Sequence, residues 1–341
     1  MKQNWIDFLQ QQGAHNEGLD FGNLPDELLN AQSATILAPL TDLGLIRVGG
    51  DDATAFLHNL LTNDLKGLAA DGVQLSGLCN PKGRLLANFL IWHEGADLML
   101  ALSADLLASI LKKLSMYVLR SKVRLADASG ERVLIGISGP EASKALADLG
   151  SMPMELFKVA SIEQGQVLCL ADNRYLLAVT SSAAEGVWSR LAVRARPAGL
   201  AAWHWLEIRA GIPRISAATQ EEFIPQMVNF ELIGGVSFKK GCYPGQEIVA
   251  RTQYLGKLKR RMYLARSDTE LPAIGAHLYA PETGDQSCGR VVRSSPAPQG
   301  GNELLAVIQS TCAEAGEVHL HNPSGPRLVL QPLPYALDAT G

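Results

Sequence analysis

The spacing of apolar residues changes period several times along the chain, and each change marks an element. Leu45-Ile46-Arg47-Val48, ending at Gly49-Gly50, reads as a strand. Phe56, Leu57, Leu60 and Leu61 then fall at i, i+1, i+4 and i+5, one face of a helix that Asp51 or Asp52 can cap. Leu85 to Trp92 and Leu98 to Ala101 return to strand character. Leu107, Ile110, Leu111, Leu114 and Tyr117 or Val118 trace a long amphipathic helix, with Ser103 as its cap. A second alternating block follows, with strands at 133–137, 167–170 and 175–179 and helices at 140–149 and 184–193. Residues 1–12 form a short amphipathic helix through Trp5, Ile6, Phe8 and Leu9. The body is therefore α+β, with no fixed-period repeat.

After Gly256 the texture changes. Short β-type runs at 262–265, 277–279, 290–292, 304–308, 318–320 and 328–330 are separated by turn residues, including Ser294-Ser295-Pro296-Ala297-Pro298-Gln299-Gly300-Gly301. This pattern predicts a small antiparallel barrel over 256–341, behind an α+β body over 1–255.

Composition narrows the class. The 341 residues are 47% hydrophobic and 19% charged, enough for about two domains and a sizeable core. No apolar run is long enough to cross a bilayer, and the start lacks the basic flank and apolar stretch of a secretory signal. The five cysteines (Cys79, Cys169, Cys242, Cys288, Cys312) are odd in number, scattered and free of any CxxC pair. That argues against a disulfide framework or a local metal site, and for a reducing, cytoplasmic setting. The dispersed histidines, including His319 and His321, do not change this, and no metal is expected. Net charge is −4, yet residues 239–261 hold Lys239, Lys240, Arg251, Lys257, Lys259, Arg260 and Arg261 against Glu247 alone. An anionic partner near this window is expected.

The same window contains the chain's most informative string, Lys240-Gly241-Cys242-Tyr243-Pro244-Gly245-Gln246-Glu247, running on to Arg251. Pro244 suits a first helical position, and the two glycines permit close backbone approach or positive φ. Cys242 is therefore expected just before a helix N-terminus and beside two lysines, a setting that favours thiolate. No phosphate loop, GxSxG elbow or HExxH motif occurs.

The string Lys-Gly-Cys-Tyr-x-Gly-Gln-Glu-x-x-x-Arg at 240–251 resembles the signature of the YgfZ proteins, folate-binding relatives of the T-protein (aminomethyltransferase) of the glycine cleavage system. Supporting segments occur in the expected order: 56–64, Cys79-Asn80-Pro81-Lys82-Gly83-Arg84, 117–123, Ala210-Gly211-Ile212-Pro213 and 223–227. The resemblance spans residue 33 to Tyr335. It implies an α+β body of intertwined subdomains around a central opening, a C-terminal antiparallel β-barrel, and tetrahydrofolate or a derivative in the opening.

Folate needs an aromatic wall, carboxyl or amide groups for the pterin edge and cations for its anionic tail. The resemblance points to Trp203, which precedes the Ala210-Gly211 turn at the family's spacing. In an extended segment Trp203 and Trp205 would share a face. Glu207 and Arg209 are added as contacts, Arg209 standing where relatives commonly carry glutamate. Asn88 is the last. The matching aminomethyltransferase segment ends in paired aspartates, here Ala87-Asn88, and an amide cannot stabilise positive charge during methylene transfer.

The resemblance thus implies a folate-binding accessory factor for iron–sulfur enzymes, including those that thiomethylate tRNA. Its effect on tRNA would be indirect, since acidic overall charge and the lack of an RNA-recognition motif argue against direct binding. A folate-dependent one-carbon transferase using Cys242 or Asn88 is the alternative.

Overall fold

The computed structural model describes residues 2–16, 20–150, 155–255 and 258–337. The chain forms two compact units, interleaved in sequence. One comprises residues 1–56, 66–74 and 90–203, the other 57–65, 75–89 and 204–341.

In the first unit, helix α1 (Lys2–Gln11) is followed by α2 (Leu24–Ser33). Asn23 caps α2 by accepting from Asp26 N at 3.3 Å. The buried Glu27 carboxylate accepts from the backbone N–H of Phe21, Asn23 and Gly199, which explains how a charge is tolerated there. A six-stranded sheet is built from β1 (Ile36–Pro39), β7 (Arg132–Ser138), β8 (Val159–Ile162), β9 (Gly165–Ala171), β10 (Arg174–Thr180) and β11 (Arg196–Pro197). Its order is β11-β1-β7-β10-β9-β8, antiparallel except for β1 with β11. The periodicity of 1–12 is met: Trp5, Ile6 and Leu9 are buried in one core with Leu37, Ile135, Ile137 and Leu177. The same core takes in α5 (Ala142–Ala147) and α6 (Ala184–Leu191), whose Trp188 ring lies edge-on to Trp5 at 5.6 Å.

A five-stranded sheet has the order β3-β4-β5-β2-β6, from β2 (Leu43–Gly49), β3 (Val73–Cys79), β4 (Leu85–Glu94), β5 (Asp97–Ser103) and β6 (Arg124–Asp127). β3 and β4 each carry the chain from one unit into the other. Helix α3 (Ala53–His58) is shorter than its pattern predicts, since Leu60 and Leu61 lie beyond its end. Asp52 directly precedes α3 and its carbonyl accepts from Phe56 N at 2.8 Å, while its carboxylate accepts from Lys122 N at 2.8 Å and Asp51 pairs with Lys122 Nζ at 3.3 Å. Ser103 makes no side-chain cap; a 3-10 turn at 104–106 leads into α4 (Leu107–Val118).

The predicted barrel is present in the second unit. Strands β12 (Arg260–Ser267), β13 (His277–Tyr279), β14 (Gly289–Pro296), β15 (Asn302–Gln309), β16 (Val318–Leu320) and β17 (Arg327–Gln331) close in the order β12-β15-β14-β13-β16-β17, with β17 returning to β12. Leu304, Ala306 and Ile308 of β15 alternate into an interior shared with Leu278, Val291, Leu320 and Leu328. Cys312 of α9 (Ser310–Ala315) fills the same core.

One reading is corrected here. Residues 203–209 are not extended; they lie in α7 (Leu200–Arg209). The run Leu-Ala-Ala supports a helix start, and two residues on a helix turn about 200°, so Trp203 and Trp205 diverge. Trp203 is 1% exposed, and its ring occupies the space where a Cβ on Gly136 would sit, 2.5 Å away. Trp205 Nε1 donates to Glu303 Oε2 at 2.9 Å.

Candidate functional site: an exposed thiol on a braced loop

Three segments far apart in sequence meet around Cys242 within the second unit. The first is residues 57–64. Lys240, 9% exposed, turns inward, and its Nζ donates to the backbone oxygens of His58, at the end of α3, and of Leu61 at 2.6 Å. The His58 oxygen is an orphan carbonyl of a helix C-terminus, where an ammonium is favourable. Lys240 Nζ also lies 4.8 Å from the centroid of the Tyr243 ring. Tyr243 is itself buried, which pushes its phenol up. Lys240 and Tyr243 are thus inward anchors, and Gly241 and Cys242 between them are exposed.

The second segment is the turn at 79–84. Asn80 Oδ1 accepts from Lys82 N at 2.9 Å and Arg84 N at 3.0 Å, and Gly83 takes φ 71°. Gly245, at φ 80°, packs directly on it: a Cβ there would meet the Asn80 oxygen and lie 2.6 Å from Gly83 Cα. A Cβ on Gly83 would in turn lie 3.0 Å from Ile248 Cβ. Both glycines are required by close approach and by positive φ together.

The third is 221–228. Arg84 Nη1 donates to the backbone oxygens of Glu221 and Glu222, and Gln226 Nε2 donates to Val249 O at 2.7 Å. That last bond ties down α8 (Gln246–Leu255). Pro244 does not open this helix; it sits with Gly245 in the turn before, and Gln246 N donates to Tyr243 O at 3.1 Å. Pro81, Cys242, Tyr243, Gly245, Gln246, Glu247, Ile248 and Ala250 line an open depression of about 500 Å³.

The electrostatics separate the thiols. Burial pushes Cys79 up to about 12 and raises Cys169, helped there by Asp172. Cys288 is pushed up to about 12 by burial and then by its neighbour Cys312. Cys242 alone of the five is exposed. Burial lowers the Lys240 ammonium to about 8, while Asp64 and Cys242 pull in the opposite direction. A neutral amine still donates twice, so both carbonyl bonds survive deprotonation. Because the unfolded lysine binds its proton up to its ordinary value of 10.5, stability from this group rises with pH between about 8 and 10.5. A titration of the Lys240 Hε–Cε resonance should accordingly show a midpoint near 8; one near 10.5 would place the ammonium in water.

Of the basic window, Lys239, Arg251, Lys259 and Arg260 are exposed, whereas Lys240 is an anchor and Arg261 pairs with Glu231. Lys257 lies outside the described residues. The pairing of His58 Nδ1 with Asp64 Oδ1 at 3.1 Å, beneath the same loop, had no signal in the sequence beyond its nearness to the 56–64 segment.

The expected folate contacts divide. Asn88 Nδ2 donates to Pro213 O at 3.0 Å, and its Oδ1 accepts from Ile215 N at 2.8 Å. Between them, Arg214 Nη2 meets Glu207 Oε2 at 2.9 Å, and Arg293 Nη2 meets the same oxygen at 2.6 Å. Asn88 and Glu207 are therefore brought together around residues 213–215, with Arg214 and Arg293 as partners the sequence reading missed. Arg209 donates to Gln331 Oε1 at 3.0 Å and meets Glu303 Oε1 at 3.6 Å. Trp203 is enclosed in the core.

The GCVT N-terminal domain family matches residues 15–234. The tRNA-modifying protein YgfZ of Yersinia pseudotuberculosis serotype O:1b (strain IP 31758) is 33% identical over 307 residues, covering 88% of this chain and 92% of that protein. The chain belongs to the YgfZ family. Another YgfZ, from Serratia proteamaculans (strain 568), is 30% identical over 306 residues, with coverages of 88% and 92%. The chain also shares its fold with the glycine cleavage system aminomethyltransferase T from Bartonella henselae. That crystal structure gives a TM-score of 0.76 at 19% identity, covering 92% of this chain and 90% of that one. Among the described residues, no helix is long and apolar enough to cross a membrane.

Proposed function

We propose that this chain is a folate-binding accessory factor that acts in tRNA modification, with tetrahydrofolate or a derivative as ligand and Cys242 as its functional thiol. The observation that carries the reading is the braced loop. Lys240, Tyr243 and Gly245 hold it in place, and they leave one thiol exposed just ahead of α8, which carries Arg251. A packing cysteine would be the buried member of such a loop.

The polar cluster suits folate in charge. Arg214 and Arg293 both meet the Glu207 carboxylate in a largely buried place, which sets two guanidinium groups beside one another. Guanidinium groups are the cations an anionic folate tail needs, and Glu207 and Asn88 supply the acceptor types of a pterin edge. Bound tetrahydrofolate would supply a one-carbon carrier. The protein's own residues orient it and keep the thiol presented.

Ala87 is buried and the amide of Asn88 is engaged by backbone, so neither offers a carboxylate for aminomethyl transfer. The accessory reading therefore stands ahead of a transferase. Its clients would be iron–sulfur enzymes that thiomethylate tRNA, in a reducing cytoplasm where free thiols persist. In a strain lacking this chain, thiomethylated tRNA and the activities of several iron–sulfur enzymes should fall together. Loss of the tRNA modification with every such enzyme at full activity would remove the iron–sulfur part of the reading.

A further inference from the structure

The C-terminal end of α4 and the segment after it carry a surface that the thiol loop does not use. The apolar stripe of α4 buries Ile110 and Leu114. It then gives way to Met116, Tyr117 and Leu119, which are 61%, 40% and 88% exposed. Leu119 ends the helix at φ 45° and ψ −106°, a backbone conformation that glycine usually fills. Single exposed apolar side chains are ordinary, but three within four residues, one of them on a strained backbone, are not.

Charge surrounds them. Residues 112–124 contain Lys112, Lys113, Arg120, Lys122 and Arg124 and no acid, in a chain of net charge −4. Lys112, Arg120, Lys122 and Arg124 are exposed. Asp51 and Asp52 engage Lys122, through its ammonium and its backbone N–H, and fix the end of the segment. The next strand, β6, is the terminal strand of its sheet and is largely exposed. It therefore offers backbone groups to an added extended chain.

We propose that residues 112–124 with β6 form a docking surface for an acidic polypeptide segment bearing apolar anchors. Its carboxylates meet Arg120 and Arg124, and its apolar side chains cover Met116, Tyr117 and Leu119. Methionine, tyrosine and arginine together are the composition of a protein–protein interface. Phosphates of a nucleic acid would use the cations and leave Met116 and Leu119 without a role. A membrane-surface helix presents a full apolar stripe, whereas the stripe of α4 is already in the core.

The test is selection of short random peptides displayed on phage against the immobilised full-length protein. Two variants serve as comparators, Met116→Ser/Leu119→Ser and Arg120→Glu/Arg124→Glu, both altered only at exposed positions. Enriched peptides should combine Asp or Glu with large apolar residues and bind more tightly at low salt. Each variant should weaken their synthetic forms about tenfold or more. Peptides of other composition, or equal binding to wild type and both variants, would overturn the proposal. So would bulk tRNA, or phosphatidylglycerol-containing vesicles, losing binding to both variants while the peptides do not.

Discussion

Gly245→Ala lowers the stability of the protein by about 2–4 kcal/mol, more than any other single-methyl change on the thiol loop. Two costs combine. The residue sits at φ 80°, where an L side chain costs roughly 1–2 kcal/mol. The new Cβ also meets backbone rather than a movable side chain, at the Asn80 oxygen and the Gly83 Cα and N. Gly234 provides the control, because it has φ 78° with nothing within 4 Å of a built Cβ. Gly234→Ala should therefore cost only the conformational share, about 1 kcal/mol. Denaturant unfolding of both variants separates the terms. Equal losses would mean that the 79–84 turn yields, and that the interlock between the two segments is not what braces the loop.

Cys242→Ala has the opposite profile: full loss of cellular function with stability changed by less than about 0.5 kcal/mol, as for an exposed side chain. Brief alkylation of the native protein, followed by peptide mapping, should label Cys242 ahead of the other four. Cys79 and Cys288 are held protonated by burial, both near 12, and reagent must reach them through the core. First labelling at Cys79 or Cys288, together with complementation by the alanine variant, would make the thiol incidental and transfer the loop's role to Gln246 and Glu247.

The elements that period alone predicted are those whose apolar faces lie within one short window. β2, β4, β5, β7, β10, the amphipathic α1 and all six barrel strands are of this kind, since alternation or i, i+4 spacing is a local property. Helix α7 is not. Trp203-His204-Trp205-Leu206 is apolar at neither period, and what settles it as helix is packing, with Trp203 against Gly136 and Trp205 on Glu303.

The candidate site divides in the same way. That Cys242 is presented on a glycine-bearing loop ahead of a helix was legible, because turn residues act locally. That Lys240 is a buried anchor was not, since its acceptors, His58 and Leu61, lie about 180 positions upstream. Likewise, Glu207 reads as a spare carboxylate until Arg293 arrives from β14 to share it.

The central claim is that this chain binds folate, and equilibrium titration of the full-length protein with tetrahydrofolate under anaerobic conditions tests it most directly. Saturable binding at one site per chain is expected. Arg293→Met should weaken it by about 1–3 kcal/mol, as for loss of one buried charge-assisted contact. Absence of saturable binding by the folded wild-type protein would contradict the account.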